Sequence, residues 1–222
     1  MIDAIIFDLD GIIVDGEPVH LTAANKVLSA YGFHLTEEEN NEYIGTSTQE
    51  YWLRLKAKFS LNEDLQSLIN KWTGFLEDEY PNAPLIPGFM KFLWYLSGKN
   101  YKLGVASSTD ISHIKKILEN IGIIDRFHVI ASSQECGHGK PHPDVYLLAA
   151  RKLRVSPKDC IAIEDSMNGI LSAKKAGMMA IAIPTRYTQN QDFSHADLIL
   201  DSFAELDEDV LMNLSKKISP NC

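Results

Sequence analysis

The 222-residue chain has no excess of basic residues: 21 Lys and Arg stand against 30 Asp and Glu, a formal net charge of -9. Binding to a nucleic acid or an anionic membrane calls for a basic face, so both are disfavoured as partners. No apolar run in the sequence approaches the roughly 20 residues of a membrane span. The N-terminus shows neither the basic start nor the long apolar stretch of a signal peptide, and a cytoplasmic protein is expected. Cysteine is scarce. Cys136, Cys160 and Cys222 are odd in number and widely spaced, with no CxxC pair, which argues against a disulfide framework and a thiolate zinc site. Internal repeats and low-complexity segments are missing too. With 45% hydrophobic and 23% charged residues, the chain is globular and long enough for one large domain and a smaller module. In so acidic a protein, an anionic small substrate needs local help from a metal ion or a placed lysine.

The most informative residues come first: Met1-Ile2-Asp3-Ala4-Ile5-Ile6-Phe7-Asp8-Leu9-Asp10, then Gly11. Apolar Ala4 to Phe7 reads as a strand buried on both faces, and the acidic pair marks its exit from the core. If the extended conformation persists through that exit, Asp8 and Asp10 project to the same side, because strand side chains repeat every two residues. Two converging carboxylates can share a hard cation, or divide nucleophile and acid/base roles between unequal environments. An acidic turn after a strand is the simpler alternative, and the later motifs decide between them.

From about Glu17 to Tyr80 the pattern is helical. Leu21, Ala24, Leu28 and Tyr31 fall at helical spacing, as do Trp52, Leu55 and Phe59, then Leu65, Leu68, Ile69, Trp72 and Leu76. A proline-marked return over residues 82–88 follows. Beyond it, helices are expected near 89–97, 111–121, 144–153, 167–176 and 204–216, alternating with strands near 102–106, 127–131, 160–163, 179–183 and 198–200. This alternation predicts an α/β fold, an open parallel sheet with helices on both faces, interrupted by a helical insertion.

In such sheets the ligand crevice lies beyond the carboxyl ends of the strands, and the polar clusters gather there. Val105-Ala106-Ser107-Ser108-Thr109-Asp110 closes the second core strand, where small hydroxyls and helix N-terminal amides could hold a phosphate or simply cap the helix. Asp110 is the better cap, which leaves Ser107 without an obvious structural task. Gly137-His138-Gly139-Lys140-Pro141-His142-Pro143-Asp144 surrounds one lysine with residues that fix the backbone, an arrangement suited to positioning an ammonium near an anion. Ile161-Ala162-Ile163-Glu164-Asp165-Ser166 is a second buried strand ending in carboxylates, with helix capping by Asp165 or Ser166 as the alternative. Together the clusters set acidic oxygens, a hydroxyl and one ammonium at the same edge of one sheet.

In their order and approximate spacing, Asp8-Leu9-Asp10-Gly11, Ser107, Lys140-Pro141 and Glu164-Asp165 resemble the motifs of the haloacid dehalogenase superfamily of phosphotransferases. The resemblance covers essentially the whole chain, and Asp15-Gly16-Glu17-Pro18 and Lys140-Pro141-His142-Pro143-Asp144 are similar to the branch containing β-phosphoglucomutase and sugar-phosphate phosphatases. It implies a Rossmann-like core, residues 1–15 and 85–222, with a mobile helical cap over residues 16–84. It also implies an aspartyl-phosphate mechanism. Asp8 attacks phosphorus, and Asp10 protonates the leaving alkoxide and then deprotonates water. Mg²⁺ is held by Asp8, the Asp10 backbone carbonyl and Asp165, with Glu164 assisting directly or through water. Ser107, with Ser108 and backbone amides, cradles the phosphoryl oxygens, while Lys140 neutralises charge beside Asp8.

Relatives that cleave carbon–halogen or carbon–phosphorus bonds do not keep an acid/base aspartate two residues after the nucleophile, so the resemblance points to phosphate esters. His20 stands where the mutases have a cap-hinge histidine. Thr48, after Gly45-Thr46-Ser47, stands where they carry an arginine for a second phosphate, and a threonine cannot supply that charged contact. A phosphatase is therefore expected ahead of a sugar phosphomutase, and ahead of a non-catalytic phospholigand-binding protein, which would not require a nucleophile beside an acid/base. Tyr51, Trp52 and Trp72 are read as cap core before sugar contacts. The expected partner is a small phosphorylated metabolite, and the chain is expected to be a monomer.

Overall fold

The apolar run that ends in two carboxylates forms strand β1 (Ala4–Phe7), buried along its whole length. In the computed structural model, which describes residues 2–43 and 48–218, β1 lies inside a sheet. Its companions are β2 (Lys102–Ser107), β3 (Val129–Ser132), β4 (Cys160–Glu164), β5 (Met179–Ala182) and β6 (Leu198–Ile199). The six strands run in the order β3-β2-β1-β4-β5-β6, and all neighbours are parallel. The chain works outward from β1 to β3, then crosses back to β4. That reversal beside β1 is where an open α/β sheet opens a crevice at its carboxyl edge.

The helices, in chain order, are α1 (Glu17–Ser29), α2 (Glu37–Asn41), α3 (Thr48–Lys58), α4 (Leu65–Glu79), α5 (Phe89–Leu96), α6 (Ile111–Ile121), α7 (Asp144–Leu153), α8 (Met167–Lys175) and α9 (Glu208–Ile218). Contacts divide the chain into two units, Met1–Asp15 with Pro84–Cys222, and Gly16–Ala83. The first unit holds the sheet and α5 to α9, and the second holds α1 to α4.

In the sheet unit, β1 is covered on both faces, which is why its sequence does not alternate. Ala4 and Ile6 join Ala106, Ala162 and Ala180 in a core shared with Val145, Tyr146 and Ala149 of α7 and Ile170 and Ala173 of α8. On the opposite face Phe7 makes edge contacts with Phe89, Phe92 and Phe127 at centroid distances of 5.6, 6.3 and 6.1 Å. The second unit closes around Trp52 and Leu55 of α3, Leu68 and Trp72 of α4, and Ala23, Ala24, Val27 and Leu28 of α1. Trp52 and Trp72 thus serve as core.

Several boundaries differ from the sequence reading by one to four residues, and two of them are instructive. β4 runs one residue further, to Glu164, so that carboxylate stands on the strand itself. The final helix begins at Glu208, because Ser202 and Glu205 form a capping box that closes a short turn at Phe203–Glu205, and Asp207 then starts a new helix by accepting from Val210 N at 2.9 Å. Phe7→Ala should lower stability by about 3–5 kcal/mol in urea unfolding followed by circular dichroism. A loss under about 1 kcal/mol would show that β1 does not anchor this core.

Candidate active site

Register brings the first groups together. Phe7 pairs with Val105 on one side and Ile163 on the other, so Asp8, Ala106 and Glu164 stand at one level of three adjacent strands. The pleat that turns Ala4 and Ile6 toward α7 and α8 turns Asp8 the same way. Lys140, in the loop before α7, meets all three residues. Its Nζ donates to Asp8 Oδ1 at 2.5 Å, to Glu164 Oε1 at 2.5 Å and to the Ala106 carbonyl at 3.1 Å. All three ammonium protons are used. The loop is tied to α8 by Ser172 Oγ donating to the His142 carbonyl at 2.5 Å and by Lys175 Nζ donating to the Pro141 carbonyl at 3.1 Å.

Asp165 joins from the end of β4, and oxygens of Asp8, Glu164 and Asp165 all lie within 4.8 Å of one another. When ionised, three carboxylates against one ammonium leave two negative charges, and the donor set is all oxygen. A hard divalent cation such as Mg²⁺ fits such a set in charge and chemistry. The electrostatics agree. Burial, opposed by Lys140 and reinforced by Glu164 and Asp10, raises Asp8 to about 8. Burial followed by Glu164 and Asp8 pushes Asp165 well above the usual carboxylate range. Lys140 is raised instead, because Asp8 and Glu164 outweigh its desolvation.

Two glycines make this crowding possible. Gly11 has φ +76°, and a Cβ there would lie 2.3 Å from Asp165 Oδ2. Gly169 sits in the first turn of α8, and a Cβ there would lie 1.9–2.0 Å from the carboxyl carbon and both oxygens of Glu164. Ser166 caps α8 by accepting from Gly169 N at 3.1 Å, which leaves Asp165 for the cluster.

Asp10 takes a different direction from the one that continued extension implies. β1 ends at Phe7, and the Ile13 and Val14 amides fold back onto the Leu9 carbonyl at 2.8 and 3.0 Å, forming a turn through Gly11. The Asp10 carboxylate accepts from Thr109 Oγ1 at 3.1 Å and is not part of the Asp8, Glu164 and Asp165 group. Thr109 is itself held, its N–H donating to Ser107 Oγ at 3.0 Å and its carbonyl accepting from Ser132 Oγ at 2.7 Å. Ser107 therefore does have a structural contact. Ser107 is buried and Ser108 is exposed. Asp110 caps α6 as expected, accepting from Ser112 N at 2.7 Å.

Within Gly16–Ala83, His20 is half-buried, its ring 5.3 Å from Trp72 and 5.5 Å from Tyr80. Thr48 is the exposed first residue of α3, and Gly45 to Ser47 lie outside the described residues. Sequence reasoning passed over Thr109, Tyr146, Gly169 and Thr188. Thr188 Oγ1 lies 3.4 Å from Asp165 Oδ2, and the buried Tyr146 hydroxyl donates to Glu164 Oε1 at 2.8 Å. Gly169 left a readable signal, since a glycine inside a helix sacrifices about 1 kcal/mol against alanine and so marks a close approach.

The strand order reverses beside β1, and there one lysine clamps the carboxylates of Asp8 and Glu164. Residues 5–183 match the family described as haloacid dehalogenase-like hydrolase, and the chain belongs to that family. Among individual proteins, it is 34% identical over 224 residues to a β-phosphoglucomutase of Bacillus subtilis (strain 168), covering 94% of this chain and 93% of that one. It is 31% identical over 217 residues to hexitol phosphatase B of Escherichia coli (strain K12), covering 91% and 93%. The crystal structure of CbbY from Rhodobacter sphaeroides in complex with phosphate superimposes with a TM-score of 0.77 at 31% identity, covering 93% of this chain and 96% of that one.

Gly169→Ala should destabilise the protein despite the better helix propensity of alanine, because Glu164 has no room to yield. Thermal melting is expected to fall by several degrees; a rise would disprove the packing role of this glycine.

Proposed function

We propose that the protein is a Mg²⁺-dependent phosphatase that hydrolyses a small phosphorylated metabolite, a sugar phosphate as substrate class, through an aspartyl-phosphate on Asp8. The observation that carries this reading is the division of the two early carboxylates. Asp8 is clamped by Lys140 among buried charges, whereas Asp10 is held by Thr109 outside that group. Unequal environments of this kind suit a nucleophile and an acid/base.

In the first step an Asp8 oxygen forms a bond to phosphorus while the ester P–O bond breaks, and Asp10 gives its proton to the departing alkoxide oxygen. In the second step Asp10 takes a proton from water, whose oxygen attacks phosphorus and releases Asp8 and inorganic phosphate. Lys140 keeps the Asp8 carboxylate oriented and offsets negative charge beside it. Ser107 Oγ accepts from Thr109 N, which leaves its own proton to be donated to a phosphoryl oxygen when substrate binds. Asp8, Asp165 and the Asp10 carbonyl would hold Mg²⁺, with Glu164 beside them, and the ion when bound supplies positive charge to the phosphoryl group.

A phosphomutase is the competing reading, since β-phosphoglucomutase and phosphatase relatives match over similar lengths. Thr48, exposed and uncharged, favours water as the acceptor, because it offers a second phosphate no charged contact. With glucose 1-phosphate and a bisphosphate primer, hydrolysis should exceed isomerisation; efficient formation of glucose 6-phosphate would overturn the phosphatase reading.

Across a panel of phosphate esters, Asp8→Asn and chelation of Mg²⁺ should each abolish phosphate release. Activity surviving Asp8→Asn would remove Asp8 as nucleophile. Asp10→Asn should cost on the order of 10²–10⁴-fold with alkyl phosphates. It should cost much less with p-nitrophenyl phosphate, whose leaving group needs little protonation. Equal losses on both substrates would remove Asp10 as the general acid.

A further inference from the structure

Both oxygens of Glu164 are occupied by the protein itself. Oε1 accepts from Lys140 Nζ at 2.5 Å and from the Tyr146 hydroxyl at 2.8 Å. Oε2 accepts from Ser166 Oγ at 3.1 Å and from Ser166 N at 3.4 Å. The two oxygens of a carboxylate offer about four acceptor sites in all, and four contacts nearly fill this one. Gly169 removes the remaining slack by letting the carboxylate rest against the first turn of α8. A group seated this firmly can serve as an anchor for its neighbours.

Tyr146 is the unexplained member of that seat. A phenylalanine would fill the same apolar space between α7 and the sheet, so packing alone does not account for the hydroxyl. The oxygen that accepts from it also holds Lys140, and Lys140 Nζ lies 5.1 Å from the centroid of the same tyrosine ring. The side chain thus meets the ammonium twice, through the ring face and through the shared carboxylate oxygen. Burial, with Glu164 and Asp8 adding to it, raises Tyr146 well above the ordinary phenol value, which keeps the hydroxyl protonated and donating.

We propose that Tyr146 is a positioning residue: its hydroxyl fixes Glu164 as the anchor of Lys140 and so sets where the ammonium stands against Asp8. The catalytic consequence rests on the phosphatase reading, but the geometry belongs to the protein without substrate, and the two can be tested apart. In ¹⁵N-labelled full-length protein, the buried Lys140 ammonium, assigned by its loss in Lys140→Met, should give a slowly exchanging Nζ resonance. Tyr146→Phe should shift or broaden that resonance. It should lower kcat about tenfold while changing KM by less than about twofold, the pattern for loss of one hydrogen bond to a charged group felt in the transition state. In a Glu164→Ala background the same substitution should have little further effect on kcat, because the shared acceptor oxygen is already gone.

An unchanged Lys140 resonance in Tyr146→Phe, or a full additional loss of kcat in the Glu164→Ala background, would overturn the proposal. If Tyr146→Phe does not fold, 3-fluorotyrosine at position 146 keeps the ring and strengthens the donor, and a Lys140 resonance that then stays in place overturns it equally. Absence of phosphate release by the unsubstituted protein would instead count against the proposed function and leave the Lys140 measurement standing.

Discussion

One ammonium ties three strand ends together. Lys140 touches oxygens of Ala106, Asp8 and Glu164, residues brought to one level by the parallel register of β2, β1 and β4. The geometry is demanding because the charges are buried. Asp8 is 7% exposed and Glu164 fully buried, and a buried ion pair deprived of one member costs about 3–5 kcal/mol. The surrounding structure serves this contact. Ser172 and Lys175 hold the lysine loop from α8, Tyr146 and Ser166 hold the far carboxylate, and Gly169 makes room for it. A slip of one residue in β1 would turn Asp8 to the other face of the sheet, so the packing of Phe7 among Phe89, Phe92 and Phe127 protects the site as well as the core.

The turn after β1 does the complementary task. Asp8 still obeys the pleat, but Asp10 does not, because the chain leaves the extended path and passes through Gly11 with φ +76°. Two carboxylates separated by a single leucine are thereby given different partners, a lysine for one and a threonine hydroxyl for the other. The same glycine allows Asp165 to approach closely from β4. A single backbone position both divides the early pair and completes the acidic group, and an alanine there would meet strain and a clash together.

Much of this was legible because it was local. Helices α6 and α7 fall where capping and periodicity put them, at Ile111–Ile121 and Asp144–Leu153. The four ionisable groups that gather at the centre, Asp8, Lys140, Glu164 and Asp165, stand out as charges at strand ends or in a constrained loop. Less legible features depended on contacts between distant residues. Asp8 and Lys140 are 132 positions apart, and nothing in either motif states that the ammonium also reaches Glu164. Tyr146 reads as an ordinary apolar-face residue of α7, since its hydroxyl matters only once α7 lies on the sheet and the ring reaches Glu164. The divergence of Asp10 was hidden because alternation assumes continued extension, which the turn at Gly11 ends.

A β-phosphoglucomutase and a hexitol phosphatase share 34% and 31% of their residues with this chain over more than nine-tenths of its length. Overall similarity therefore does not choose between a sugar hydroxyl and water as phosphoryl acceptor. On the proposed mechanism the first half-reaction is common to both outcomes, since each needs a nucleophile, an acid and neutralised phosphoryl oxygens. Those needs are met by residues of the sheet unit alone. What distinguishes the outcomes is whether a second phosphate can be held while the first is transferred, and that calls for fixed positive charge elsewhere. In Gly16–Ala83, position 48 offers only a neutral hydroxyl at the start of α3, and Arg54 of the same helix is engaged with Glu50 at 3.3 Å. On the proposed reading, a sheet unit that forms the phosphoenzyme, joined to a helical unit whose Thr48 is neutral and whose Arg54 is already paired, is the combination expected of an enzyme that gives its phosphoryl group to water.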